Sequence, residues 1–342
     1  MNRKLVLWIV GIAALAALTL AAGWSDVRAA LGRGNPLVLG GLVLLQVLTF
    51  FVIAYQWQYL FGRADVAVSF RRILEVTLAG GFVESVTPSS KLGGMAAKVY
   101  LFERTTNAEY GTITSVLLAQ KYVSMLPFAL IGVVAVAIAT VQLEIPLTVT
   151  VDTTVVAVGA VLVGGIVGST AVLRWRAQHR SASTPERALS RSLERVQTVV
   201  RSLLREASAI LDRRSRWWLY GISTFLWGLY PIKIYVVAVT LGVEIGLPIA
   251  VVGTYLAYVV GLAPISPGGT GTFEGTLALV FVAAGATFAE GVTVALLARL
   301  ITFWFPLVLS AIVTVSLVAS EDDVLPDGVL DRLAHHVGRA RR

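Results

Sequence analysis

The residues with scope for chemistry are few and lie in apolar surroundings. Pro264 to Glu274 reads Pro-Ile-Ser-Pro-Gly-Gly-Thr-Gly-Thr-Phe-Glu, a helix breaker between the apolar runs Leu247 to Gly261 and Phe273 to Ala286. Pro264 and Pro267 supply no backbone donor, and Gly268, Gly269 and Gly271 remove side chains where a backbone or ligand must come close. A similar break, Thr87-Pro88-Ser89-Ser90-Lys91-Leu92-Gly93-Gly94, separates Ile73 to Thr87 from Met95 to Phe102. A helix that starts at such a break aims its free N–H groups and positive dipole end at whatever lies there, which favours an anion.

Ionisable residues accompany the breaks. Lys91, Lys98, Lys121, Lys233 and Arg299 fall inside apolar segments, with Glu75, Glu84 and Glu274 as the acids available there. A cation at a bilayer centre costs roughly 2.5–3.5 kcal/mol on insertion scales, so each needs a partner or a pathway role. Lys98 has the further option of snorkelling to the surface. Glu274, next to the glycines, could neutralise Arg299, carry a proton, or cap the half-helix. With Glu84 it is a candidate for proton or ion coupling.

These groups require a membrane scaffold. The chain has 342 residues, 56% hydrophobic and 14% charged, with mean hydropathy +0.79, against about a quarter charged in soluble proteins. There is no cysteine, which excludes disulfides, thiolate metal sites and cysteine nucleophiles. The histidines, His179, His335 and His336, lie in polar segments, so no metal centre, cofactor or histidine-based catalysis is expected at depth. The net charge of +8 is concentrated in particular loops, which reports topology and argues against nucleic acid.

The sequence therefore reads as an all-α polytopic membrane protein, a single transmembrane domain over 1–342. About six full crossings are expected, at Leu5–Ala22 (too long for a typical signal-peptide core), Pro36–Phe61, Thr112–Val141, Leu147–Leu173, Trp217–Leu241 and Val292–Ala319. Hairpins at 73–102 and 248–286 are expected to be re-entrant, because the first arm, Ile73–Thr87, reaches only about 22 Å of a roughly 30 Å core. The linker 174–216 carries an amphipathic helix over 189–210, which could lie on the membrane, pack beneath the bundle, or join a second copy or a partner protein. A polar tail fills 320–342.

This topology puts Arg3, Lys4, Arg63, Arg71, Arg72, Arg104 and the arginines of the linker and tail on one side, Arg28 and Arg33 on the other. Positive-inside then places both termini in the cytoplasm of a plasma membrane. One offset relates Pro88 to Pro267, Pro127 to Pro306, and Leu117-Leu118-Ala119 to Leu296-Leu297-Ala298. Halves at 36–141 and 217–319 follow, separated by an odd number of crossings and so inverted, as in many secondary transporters.

The segments Thr87–Gly94 with Lys98-Val99-Tyr100-Leu101, Ile265–Gly271 with Glu274, and Ala298-Arg299-Leu300 with Phe303–Pro306 resemble the hallmarks of the lysylphosphatidylglycerol synthetase transmembrane region. That family includes the flippase half of the multiple peptide resistance factor and stand-alone membrane proteins of bacteria and archaea. The resemblance covers essentially Leu5 to Ala319 and implies handling of a lipid head group. The expected cargo is an anionic or aminoacylated phospholipid, or a polyprenyl-phosphate-linked glycan. Head-group contacts are expected from Ser89, Ser90, Lys91, Gly93, Gly94, Lys98, Lys121, Ser266, Pro267, Gly268, Gly269, Thr270, Gly271 and Arg299. Met95 departs from the family, whose members commonly carry an acid there; it is also the repeat counterpart of Glu274. No segment outside the predicted bundle exceeds the 43 residues of 174–216, so the synthetase's soluble aminoacyl-transferase domain is not expected here, nor an enzymatic role. An intramembrane lipid-phosphate enzyme with Glu274 as base, or an accessory subunit docking through 189–210, are the alternatives.

Overall fold

A computed structural model of the chain describes residues 12–13, 16–21, 23–87, 90–106, 108–143, 211–262 and 266–320. The expected crossing at Leu147–Leu173, the 189–210 helix and the tail lie outside these residues, as does much of Leu5–Ala22. Every described element is helical: α1 Trp24–Leu31, α2 Pro36–Arg63, α3 Phe70–Val86, α4 Ser90–Thr105, α5 Tyr110–Gln142, α6 Arg213–Thr240, α7 Leu247–Gly261, α8 Thr272–Ala283, α9 Phe288–Arg299 and α10 Phe305–Ser320. Among the described residues four helices are long and apolar enough to cross a membrane: α2, α5, α6 and the run Phe288–Ala319.

Local sequence sets the boundaries. Asn35 caps α2 through a 2.9 Å bond from Leu37 N, and Pro36 occupies the first turn, where its missing N–H costs nothing. Asp212 caps α6 by accepting from Ser215 N at 3.2 Å and lies 3.6 Å from Arg63. Hydrogen bonds from Ser215 hold its carboxyl below the usual carboxylate range. The cap therefore contributes stability above the ordinary carboxylate pKa and loses it as pH falls through the lowered one. Between α9 and α10 a π turn spans Leu300–Trp304, just before Pro306, whose missing N–H disturbs the α-helical ladder.

The helices recur in order. The offset between Pro88 and Pro267 carries the ends of α2, α3, α4 and α5 onto those of α6, α7, α8 and the α9–α10 run to within about one turn. Side-chain contacts show how the copies are related. Lys233 Nζ on α6 donates to Gln46 Oε1 on α2 at 2.7 Å, and Gln56 Nε2 on α2 donates to Ser223 Oγ on α6 at 2.7 Å. As α2 advances from 46 to 56 its partner retreats from 233 to 223, so the helices are antiparallel. Aligned by their ends, two residues off the proline offset, Gln46 matches Ser223 and Gln56 matches Lys233, so each contact is the other with the helices exchanged. Antiparallel first helices are what an inverted repeat requires of its two copies.

The buried apolar residues form two main cores, one per half. Ala54, Leu60 and Phe61 of α2 join Leu219 of α6 in one, and Leu42 of α2 joins Ile234 and Val237 of α6 in the other. Each of these helices thus serves both halves.

The arms α3 and α4 pack closely because small residues line their contact. A Cβ on Gly94 would lie 2.6 Å from Glu84 Cβ and 2.8 Å from Gly80 O. At 15 residues α7 reaches about 22 Å and at 12 residues α8 about 18 Å, both short of a bilayer core. The hairpins meet where α3 touches the Pro267–Gly269 turn.

Candidate functional site

The second break is built from its glycines outward. Gly268, Gly269 and Gly271 have φ of +61, +68 and +85, a region that L side chains rarely adopt. A Cβ on Gly269 would lie 2.9 Å from both Cα and O of Gly261, so the chain before and after the turn meets backbone to backbone. A Cβ on Gly268 would run into the Phe303 ring. Ser266 Oγ donates to Thr270 O at 2.7 Å and Thr270 Oγ1 to Pro267 O at 2.8 Å, so the turn satisfies much of its own polarity.

Arg299 and Glu274 lock onto this turn. Arg299 Nε donates to Glu274 Oε1 at 2.9 Å, and Nη2 donates to Gly268 O at 2.7 Å. Gly271 N donates to Glu274 Oε2 at 2.7 Å. The guanidinium sits 3.9 Å from the Phe303 ring centroid and 4.8 Å from that of Phe273. Arg299 is 6% exposed and Glu274 1%. Of the roles open to Glu274, neutralising Arg299 and capping α8 are performed together. The helix N-terminus expected to attract a foreign anion is thus occupied by the protein's own carboxylate.

The first break is arranged differently. Met95, the counterpart of Glu274, leaves no carboxylate at that position. Glu84, Lys98 and Lys121 instead converge with Trp57, Met95 and Leu117 around a cavity of ≈ 10 Å³, room for about one water. Lys98 Nζ lies 3.8 Å from Glu84 Oε2, and its stem runs over Gly80, where a Cβ would collide with it. Among the described residues no hydrogen bond or ion pair reaches Lys121.

Lys233 is 1% exposed and caged by neutral groups: Gln46 Oε1 at 2.7 Å, Thr49 Oγ1 at 2.8 Å and the Tyr230 ring at 5.1 Å. Two oxygens and a π face suit an ammonium. Lys98, Lys121, Lys233 and Arg299 thus face only Glu84 and Glu274, which leaves the described interior with a surplus of two positive charges.

The structure joins Ser266 to Gly271, Glu274 and Arg299 in one cluster and Glu84, Gly94, Lys98 and Lys121 in another. Gly93 lies on the α3 side of α4, where a Cβ would meet Thr87 Oγ1 at 3.0 Å. Ser89 lies outside the described residues; Ser90 and Lys91 open α4, and only their backbone is described. Lys121 and Arg299, one residue apart in the repeat register, have different surroundings: the counterpart of Arg299 is Gln120, whose Nε2 donates to Gln56 Oε1 at 3.3 Å. The cage of Gln46 and Thr49 was missed from sequence, although polar residues within the apolar run of α2 were its available signal. The aromatic partners Tyr230, Phe273 and Phe303 gave none, because aromatic residues are common in any membrane helix.

The family description Lysylphosphatidylglycerol synthase TM region matches residues 8–310. The chain belongs to this family. Members of the UPF0104 membrane proteins are similar across nearly the whole length. One from Methanothermobacter thermautotrophicus is 24% identical over 326 residues, covering 89% of this chain and 92% of the relative. One from Pyrococcus horikoshii is 23% identical over 330 residues, covering 91% and 96%. Membership in the lysylphosphatidylglycerol synthase TM region ties this all-α membrane protein to membrane lipids.

Proposed function

We propose that the chain moves a lipid with an anionic head group between leaflets. The observation that carries this reading is the interior surplus of positive charge, with Lys121 unpaired among the described residues. A cation at membrane depth without a counter-ion is costly even when half-buried, and a phosphate arriving as cargo supplies the missing charge. The inverted pair of short hairpins supports it, since alternating exposure of a site at their junction carries a head group across. The cavity at Lys121 is too small for a phosphate, so loading requires the hairpin tips to separate. An apolar groove of ≈ 290 Å³ between α5, α7 and α8, lined by residues such as Gly132, Ala139, Leu256, Leu279 and Ala283, offers a surface for acyl chains. Both oxygens of Glu274 are engaged, which favours transport over group transfer with Glu274 as base. On this reading the protein sits in the plasma membrane with both termini cytoplasmic.

The test is leaflet exchange of a fluorescent anionic phospholipid in proteoliposomes, comparing wild type with Lys121→Met. Exchange is expected to fall roughly tenfold or more, the scale of one lost hydrogen bond to a charged group. Thermal stability is expected to hold or rise, because the substitution removes an uncompensated charge. Unchanged exchange in the variant, or none in the wild type, overturns the reading.

A further inference from the structure

The small cavity at the first break is walled mostly by hydrogen-bond donors. Four helices contribute to it: Trp57 from α2, Glu84 from α3, Met95 and Lys98 from α4, and Leu117 and Lys121 from α5. Lys121 stands about 16 Å along α5 from Tyr110, at membrane depth. Lys98 and Lys121 repel one another there, and with Glu84 as the acid among the lining residues the wall keeps a surplus of one positive charge. Trp57 adds a third donor. It is 3% exposed, and its indole N–H meets no hydrogen-bond partner among the described residues. That nitrogen is not sealed by packing either, since Thr77 Oγ1 is the one described side-chain oxygen or nitrogen both sealed and unpartnered.

Such a wall suits an anion better than a water. Ammonium and indole groups donate and cannot accept, whereas a water has two protons of its own to place. A water also solvates without neutralising, and the surplus charge at this depth is costly. A halide ion accepts from all three donors, asks for no acceptor in return and cancels the charge. The second break shows the alternative solution, in which Glu274 neutralises Arg299 from within. At the first break Met95 stands in that place, so the balancing charge comes from outside the chain. Size selects the kind of anion: ≈ 10 Å³ admits one small species and no phosphate while the hairpin tips are together. A halide is slightly wider than a water, and the flexible stems of Lys98 and Lys121 yield that difference.

We propose that Lys98, Lys121 and Trp57 hold a halide ion while the hairpin tips are together, and that this ion gives up its place as they part. The first clause stands on the cavity alone. The second rests on the transport reading above, in which Lys121 receives a lipid phosphate: one charge cannot serve two anions in so small a space, so the two compete for it.

The test melts the full chain in detergent, in sodium chloride and in sodium gluconate of equal ionic strength. Wild type is expected to melt about 2–4 °C higher in chloride, with saturation, as for a ligand of the folded state at roughly tenfold excess over its Kd. Lys121→Met is expected to lose this shift. Trp57→Phe, which removes one donor and keeps an aromatic ring, is expected to raise the half-saturating chloride concentration roughly fivefold, the scale of one hydrogen bond. Crystals grown in bromide are expected to show an anomalous peak among Lys98, Lys121 and Trp57. No chloride-dependent shift, an equal shift in Lys121→Met, or a water in place of bromide overturns the halide site. Competition is read separately by titrating dihexanoyl phosphatidylglycerol, whose affinity is expected to fall about twofold at the half-saturating chloride concentration. Halide binding without such competition removes the phosphate from Lys121, and the transport reading with it, and leaves the halide site standing.

Discussion

Replacing Arg299 by methionine is expected to destabilise the protein by about 3–5 kcal/mol, the usual cost of stripping one partner from a buried ion pair. Arg299 Nε and Nη2 bond Glu274 Oε1 and Gly268 O, so the substitution leaves a carboxylate and a carbonyl unpaired at depth. It also removes the group stacked on Phe303. A charge left behind costs far more than the absence of a well-packed pair, so the double variant Glu274→Leu with Arg299→Met is expected to recover much of the loss. Recovery stays incomplete because Glu274 also caps α8 through Gly271 N, a contact worth about 1 kcal/mol. Thermal melts of the four proteins in one detergent measure the coupling. If the two single losses simply add in the double variant, the pair is not the unit described.

Gly269→Ala is expected to cost about 2–5 kcal/mol, combining a left-handed backbone strain of about 1–2 with an overpacking cost of about 1–3. The new methyl would meet the backbone of Gly261, which has no rotamer to yield. Gly268→Ala provides the internal comparison, since its methyl would meet the far end of the Phe303 side chain instead. Phe303→Leu is therefore expected to relieve part of the Gly268→Ala cost, and no side-chain truncation is expected to relieve Gly269→Ala. A Gly269→Ala protein as stable as wild type would contradict the close approach on which the turn depends.

Much of the scaffold was legible because membrane burial forces long apolar runs and leaves few places for breaks. Pro36–Phe61 and Trp217–Leu241 lie within a few residues of α2 and α6, and the shared proline offset anticipated the recurrence of helix ends. Hairpin bounds shifted slightly, from 73–102 to 70–105 and from 248–286 to 247–283, since Ser69 and the glycine turns set the ends more finely than hydropathy does. The fate of individual charges was less legible. Sequence paired Lys121 with Arg299 by register, yet the acid Glu274 engages Arg299, while its counterpart Met95 supplies no carboxylate to the cavity at Lys121. Lys233 illustrates the same limit: its partners Gln46 and Thr49 are 187 and 184 residues away along the chain.

The sequence by itself determined that this is an all-helical membrane protein of repeated plan, with breaks at Pro88 and Pro267 and a small stock of buried charge. Those properties follow from composition, helix length and proline chemistry, each read along a single chain. Only the tertiary structure decided which charges cancel, that Glu274 closes the second break from within, and that Lys121 meets no hydrogen-bond or ion-pair partner among the described residues. The reason is geometric: whether a buried charge or hydroxyl is satisfied depends on a few ångströms between helices far apart in sequence, and spacing along one chain carries no such distance.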